Sequence, residues 1–197
     1  CNTYSKIINI GCVNCIYNCH LKPHISQLMN KHTNICLNVI LDHSRHLLNR
    51  LHDNSIDVCF SYLATNEISY KCIPYKTDEI IFVTNSQNIQ FSNGIHNGEI
   101  LHLPIIYSKF MPKSGFDWIH DIFPPHYVFQ FTISVIKEII PFLLQYPYYA
   151  FLPRKLIEKE LKDGLLIEIP LLDYHIPPLQ SYIIMKSNAK YNPLDYF

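Results

Sequence analysis

Five side chains near the amino terminus have the residue types that bind zinc: Cys12, Cys15, Cys19, His20 and His24. Thiolates and imidazoles at such spacings can share one tetrahedral ion. However, Cys12 ends a predicted strand and Cys19 lies in a predicted helix. These side chains could converge on one ion only if the turn between the strand and the helix were bent. Small buried cysteines are the commoner explanation. We therefore predict no metal site.

Redox and catalytic chemistry have less support from the residue pattern. A thiol such as Cys15, close to the start of a predicted helix, has its thiolate favoured, so a redox-sensing role stays open. The histidines are scattered, and the pair His43 and His46 fits a solvated helix face. The sequence contains no nucleophile elbow, phosphate-binding loop or His-Glu-x-x-His motif. We predict neither an enzyme nor a bound cofactor.

Two similar sets of apolar segments must position any functional side chains. In each set, short apolar runs alternate with helix-length segments, which is typical of a parallel sheet with crossover helices. The pattern predicts an α/β protein with two lobes and a ligand cleft between them. Pro141 lies inside the helix predicted over residues 135–145, so we expect a kink or a late start there. The apolar runs are 6–11, 37–41 and 56–60 in the first set, and 104–107, 127–131 and 149–153 in the second.

Composition restricts the class of protein. The 197 residues are 48% hydrophobic, enough for a buried core, but no apolar run reaches the length of a bilayer crossing. The 16 basic and 16 acidic side chains cancel, so the chain lacks the positive field that attracts nucleic acid. Seven cysteines without disulfide-scaffold spacing fit a reducing cytosol. Because the first residue is Cys1 rather than Met, we expect an upstream part to be missing.

The order of several short motifs is similar to that of one protein family, the effector-binding domains of LysR-type transcriptional regulators. A strand over residues 7–11 precedes a helix with Pro23 in its first turns. The similarity spans nearly the whole chain, and its strength comes from the order and spacing of the pieces. The further matching motifs are DHSRHLL (42–48), NSIDV (54–58), YKTDEIIFV (75–83), LPII (103–106), FLP (151–153) and LKDGL (161–165).

This resemblance implies a type 2 periplasmic-binding-protein-like fold, in which two lobes are joined by two crossover strands. Lobe I would comprise residues 1–80 and 181–197, and lobe II residues 81–180. The N-terminal winged helix-turn-helix that binds DNA in the family is absent from this chain. The resemblance also implies homodimers of this domain, packed through the first helix and second strand of lobe I, within tetramers of the full protein.

The predicted effector site lies where strands end and helices begin, because helix amino termini there attract anions. Asn14 and Ser134 can donate hydrogen bonds, and Lys109 can supply charge. Tyr62 and Tyr107 can form flat walls with a polar tip. The alternative for each is an ordinary loop or cap residue. The predicted effector-binding residues are Val13, Asn14, Cys15, Ile16, Tyr62, Tyr107, Ser108, Lys109, Ile133 and Ser134.

Two segments depart from the family pattern. Relatives often place Ser or Thr after the first strand to hold the effector, whereas this chain has Val-Asn-Cys-Ile at 13–16. A glycine-rich approach to the Leu-Pro strand is replaced by Gln-Tyr-Pro-Tyr-Tyr at 145–149, whose rings would narrow or close the pocket.

These observations favour a cytoplasmic sensor domain that binds a small carboxylate or other anion and thereby modulates transcription. A solute-binding protein of a transporter is the main alternative, although the cysteines and the lack of an export signal argue against it. An enzyme on the same scaffold is a third alternative. The effector, the target genes and the direction of regulation stay open.

Overall fold

Apolar and β-branched segments form the strands of the computed structural model, which describes residues 4–108, 118–189, 192 and 195. Six of these ten described strands overlap the six apolar runs of the sequence. They are β1 (Lys6–Cys12), β2 (Ile35–Leu41), β3 (Val58–Ser61), β4 (Tyr70–Asp78), β5 (Ile80–Asn85), β6 (Ile106–Tyr107), β7 (Phe131–Thr132), β8 (Tyr149–Pro153), β9 (Leu166–Glu168) and β10 (Leu179–Lys186).

Helices occupy many of the segments between the strands. The predicted late start near Pro141 is confirmed, because a 3-10 turn over Ile136–Glu138 comes first and the α-helix then begins at Ile139. Pro141 therefore lies in the first turn, where proline is tolerated. The helices are α1 (Asn14–Ile16), α2 (Lys22–Lys31), α3 (Ser44–His52), α4 (Asn97–Ile100), α5 (Trp118–Ile122), α6 (Ile139–Gln145) and α7 (Glu158–Lys162), with a π-helical turn at Tyr17–Leu21 and a second 3-10 turn at Arg154–Ile157.

The chain divides into two compact units. The first comprises Cys1–Lys76 and Gln180–Phe197, and the second Thr77–Leu179. The chain therefore leaves the first unit near the end of β4 and returns at the start of β10. The boundaries predicted from the sequence were residues 80 and 181.

A five-stranded sheet with the order β2-β1-β3-β10-β4 forms the centre of the first unit. Strands β1, β2 and β3 are parallel, as the alternation with helices predicts, and β10 is antiparallel to β3. A polar link fixes the register across the parallel strands: the Asp57 carboxylate accepts hydrogen bonds from the backbone N–H (2.7 Å) and the side-chain amide (3.2 Å) of Asn9. The Asn38 amide in turn donates to Asn9 Oδ1 at 2.9 Å.

The second unit has a three-stranded sheet with the order β8-β5-β9 and a short parallel pair, β6 with β7. Strand β5 is antiparallel to both neighbours, so this part departs from the predicted parallel sheet. A parallel bridge between Ile105 and Tyr149 links the β6 segment to β8.

The strand predicted over residues 127–131 is shorter than expected, since β7 covers only Phe131 and Thr132. Residues before it belong to a turn in which the Tyr127 N–H donates to the Pro124 carbonyl at 2.9 Å. The rings of Tyr127 and Phe129 pack against each other, with centroids 5.0 Å apart. Aromatic packing therefore replaces strand pairing in this segment.

Within the described residues, no helix combines the length and apolar character that crossing a bilayer requires.

Candidate functional site

The first group of predicted site residues lies at the start of a long helical stretch after β1. Val13 is extended and its N–H donates to the Phe60 carbonyl of β3 at 3.1 Å, so the turn is anchored to the neighbouring strand. From Asn14, α1, the π-helical turn and α2 follow one another without a break. No side chain caps the start at Val13. The first N–H groups of such a stretch have no partner within the helix and carry a partial positive charge.

Asn14 is the member of this group with an accessible side chain, since Val13, Cys15 and Ile16 are buried. The Asn18 amide donates to the Asn14 carbonyl at 2.9 Å and to Asn14 Oδ1 at 3.1 Å. Among the described contacts, this arrangement uses the oxygen of the Asn14 amide and leaves its nitrogen to donate. Cys15 and Ile16 face the core, so a ligand would meet their backbone N–H groups rather than their side chains. Turns of π-helix such as the one that follows are frequent at functional sites.

Tyr62 lies directly after β3, where two serines hold the backbone. Its N–H donates to Ser44 Oγ at 3.2 Å, and the N–H of Leu63 donates to Ser61 Oγ at 2.9 Å. Ser44 and Ser61 are both buried. Neither serine is among the residues that the sequence predicted for the site. The signals available in the sequence were the positions of the two serines, with Ser61 at the end of a strand and Ser44 at the start of a helix.

The second group of predicted residues lies in the second unit, where β6 and β7 end together. Ile106 pairs with Phe131 and Tyr107 with Thr132, and the Ile133 N–H donates to the Tyr107 carbonyl at 3.0 Å. The pairing therefore brings Tyr107 close to Ile133 in the backbone. Tyr107 stacks on Phe129, with the ring centroids 4.3 Å apart and an interplanar angle of 12°. Burial raises the pKa of Tyr107, so its phenol keeps its proton at neutral pH.

Ser108 follows β6 and is only 3% exposed. Its Oγ is buried and has no hydrogen-bond partner among the residues that the structure describes. An unsatisfied buried hydroxyl costs about 1–3 kcal/mol, so a partner that satisfies it stabilises this part of the protein.

The remaining predicted residues differ in exposure. Ile133 is half-buried and Ser134 is exposed. Ser134 does not cap the 3-10 turn that follows, because this turn starts from Val135 without a side-chain cap. Lys109, the one cation of the predicted set, lies outside the described residues.

The aromatic side chains of segment 145–149, which leads into β8, lie partly in the core and partly on the surface. Tyr149 is buried and stacks on Phe82, with centroids 5.4 Å apart, whereas Tyr146 is exposed. The indole Nε1 of Trp118 is a further buried polar atom without a partner in the described part of the chain, and the sequence had not singled out this residue.

The cysteines near the amino terminus are buried in the first unit. The Sγ atoms of Cys15 and Cys19 are 4.0 Å apart. Burial raises the pKa of the Cys12 thiol, and burial together with Cys72 raises the pKa of Cys59 to about 12. Such thiols are poor nucleophiles. Across residues 4–108 and 118–189, no three His, Cys, Asp or Glu side chains are arranged to hold a metal ion.

Two α/β units, of which the first is built from two segments of the chain and the second from the single segment between them, are the architecture of a type 2 periplasmic-binding-protein-like domain. The chain matches the family model described as LysR substrate binding domain over residues 2–194. It therefore belongs to the LysR substrate-binding domain family, as the motif order predicted. A search of curated protein sequences found no match.

Solved structures of LysR-type regulators have the same fold. The BenM effector-binding domain with its effector benzoate has a TM-score of 0.68 at 17% identity, covering 98% of this chain and 89% of that chain. The regulatory domain of MexT, a transcriptional activator in Pseudomonas aeruginosa, has a TM-score of 0.74 at 15% identity, covering 98% and 94%. A full-length BenM E226K mutant has a TM-score of 0.67 at 19% identity, and the likeness covers 98% of this chain but 64% of that chain. At these identities the likeness shows the fold.

Proposed function

We propose that this chain is the effector-sensing domain of a LysR-type transcriptional regulator and that its effector is a small carboxylate or another small anion. The family match supports the regulatory role. Benzoate, named for the BenM domain, is an example of such a carboxylate. We propose no catalytic activity, and we place the protein in the cytoplasm.

The observation that carries the ligand proposal is the buried Ser108 hydroxyl without a described partner. In the same unit, the Tyr107 phenol remains protonated at neutral pH because burial raises its pKa. In the first unit, the uncapped helix start and the Asn14 amide nitrogen are also donors. A set of donors is best matched by a ligand that is rich in acceptors, and a carboxylate is the commonest such group.

We propose that the effector-binding residues are Val13, Asn14, Cys15, Ile16 and Tyr62 in the first unit, and Tyr107, Ser108, Lys109, Ile133 and Ser134 in the second. Binding would then shift the equilibrium between arrangements of the two units. A ligand can do this only to the extent that it binds one arrangement more tightly than the other. DNA contact is assigned to a winged helix-turn-helix located N-terminal to this domain in the full regulator.

The experiment is a thermal-shift screen with sodium salts of benzoate, acetate, succinate and other small carboxylates, followed by calorimetric titration of any hit. A ligand that binds only the folded state raises the melting temperature. For a hit, we expect Ser108→Ala to weaken binding about tenfold or more, because a hydrogen bond to a charged group is lost. Ser92→Ala is the control, since Ser92 is exposed and is not one of the proposed effector residues.

Two results would contradict this proposal. One is a panel in which no carboxylate stabilises the protein. The other is a hit whose affinity is the same for Ser108→Ala and wild type, because the buried hydroxyl would then have no role in holding the ligand.

We also propose a homodimer of this domain that packs through α2 and β2. Strand β2 is an edge of the five-stranded sheet, and an edge strand presents unpaired backbone groups. Large apolar side chains on these two elements are accessible, with Leu41 43% and Met29 41% exposed. An accessible apolar edge of this kind favours association with a second copy. Tetramers of the full regulator would use additional contacts.

Sedimentation or light scattering across a concentration series tests the dimer. Leu41→Glu should raise the dimer dissociation constant at least about tenfold, because a charge would be buried at the interface. Leu165→Glu is the matched control, since Leu165 is 47% exposed in the second unit. A wild-type chain that stays monomeric, or equal effects of the two substitutions, would remove this proposal.

A further inference from the structure

The first unit has a concave surface at the ends of its strands that lie opposite the candidate effector residues Val13 and Tyr62. The pairing register shows this: Tyr182 of β10 pairs with Ser61 at the end of β3, whereas Met185 pairs with Val58 at its beginning. Lys186, the residue after Met185, therefore lies near the beginning of β3, at the opposite end of this strand from Ser61 and Tyr62. There the surface holds an open cavity of about 430 Å³, whose lining includes Glu67, Ser69, Tyr70, Lys186 and Asn188.

The ammonium group of Lys186 is held in a defined position at this cavity. It donates to the His52 carbonyl at 3.0 Å and to Asn54 Oδ1 at 2.6 Å. His52 is the last residue of α3, where the helix dipole favours a cation. An ammonium group has three N–H donors, so one remains for a ligand.

Glu67 lines the same cavity and is exposed, and its side chain carries a carboxylate. In the part of the chain that the structure describes, it forms no ion pair and no side-chain hydrogen bond, whereas the Lys186 ammonium is already directed to α3. The cavity therefore presents one negative and one positive group that do not neutralise each other. A ligand that carries both charges can pair with each of them.

The wall between these two charges is braced. The Ser187 N–H donates to the Ser69 carbonyl at 2.9 Å, and Ser187 Oγ donates to the Ile68 carbonyl at 3.0 Å. These bonds fasten the end of β10 to the segment that enters β4. Tyr70 and Asn188 add a ring surface and an amide to the lining. A fixed lining favours binding because little order is lost when the ligand arrives.

We infer that this cavity binds an α-amino acid, whose carboxylate accepts from Lys186 and whose ammonium group donates to Glu67. The cavity is within the size range of small-molecule sites and leaves room for a side chain beside Tyr70. This inference goes beyond the proposed effector function and does not depend on it, since none of the predicted effector residues lines the cavity.

The test is an NMR titration of the ¹⁵N-labelled chain with each standard α-amino acid in turn. We expect at least one of them to shift the backbone amides of Glu67, Tyr70, Lys186 and Asn188. Acetate and methylamine, which carry one charge each, should bind at least about tenfold more weakly because each can satisfy only one of the two groups.

Substitutions identify the site. Glu67→Gln should weaken amino-acid binding about tenfold or more without a loss of folding, since Glu67 is exposed. Glu138→Gln, at an exposed glutamate of the second unit, is the control and should leave binding unchanged. Lys186→Met should also weaken binding, with a thermal melt to show that the variant is folded. The inference is overturned if no amino acid shifts these amides, if acetate alone binds equally well, or if Glu67→Gln binds like wild type.

Discussion

Gly11→Ala should destabilise the first unit, because β1 passes close to two core side chains at this residue. A Cβ at position 11 would overlap Ile56 Cδ1 and would lie 2.8 Å from Leu47 Cδ2. Leu47 is fully buried and Ile56 nearly so, which leaves little space for either to move. Overpacking of this kind costs about 1–3 kcal/mol. The smaller entropy of an unfolded alanine chain offsets roughly 0.4–1 kcal/mol, so we expect a net loss of about 1–2 kcal/mol.

A double-mutant cycle separates this clash from other effects. Ile56→Val removes the Cδ1 atom and should by itself cost about 0.5–1.5 kcal/mol. In the Gly11→Ala, Ile56→Val protein, the added methyl group occupies the vacated space. The double variant should therefore be more stable than the sum of the single losses by about 1 kcal/mol.

Urea unfolding followed by far-ultraviolet circular dichroism measures these free energies. Gly98→Ala is the control, since a Cβ there meets no atom within 4 Å and the residue lies in α4, where alanine is favourable. A Gly11→Ala protein as stable as wild type, or strict additivity in the cycle, would refute the reasoning.

Three further predictions follow from the described contacts. Ser44→Ala should cost about 1–2 kcal/mol in urea unfolding and speed hydrogen exchange at the Tyr62 amide, because the acceptor of that buried N–H is removed. The Asp173 carboxylate, 2.9 Å from His96, raises the pKa of the His96 imidazole, so Asp173→Asn should lower that pKa in an NMR titration. The stabilisation that charged His96 contributes is fully present below about pH 6.5, the pKa of an unfolded histidine, and is lost as the pH rises through the raised pKa of the folded state. Because the pKa of Cys59 is raised to about 12, iodoacetamide at neutral pH should modify it only after unfolding, as peptide mass mapping will show.

The elements of this fold could be predicted from the sequence where local pattern and tertiary packing agree. Residues 6–12 form a strand because their branched apolar side chains pack on a sheet. The alternation of strands with helices predicted that β1, β2 and β3 are parallel, and they are. The prediction and the structure agreed less well at residues 127–131, where packing of aromatic rings replaced strand pairing. They also differed at β5, because nothing in the local sequence indicates that its neighbouring strands run antiparallel to it.

The candidate site shows the same division. The ends of the parallel strands identified Val13, Tyr62 and Ser108 as positions for a ligand, and these assignments remain predictions. That the side chains of Cys15 and Ile16 face the core depends on how the helix packs, which residue types do not show.

By itself, the sequence determined the α/β class, the family and the strand ends near which a ligand is expected, because apolar periodicity and motif order are local properties of the chain. Tertiary structure alone decided that the Ser108 hydroxyl is buried without a described partner and that Lys186 and Glu67 line one cavity. Burial, hydrogen-bond satisfaction and the meeting of distant charges depend on contacts between residues far apart in the chain, and these contacts exist only once the units have folded.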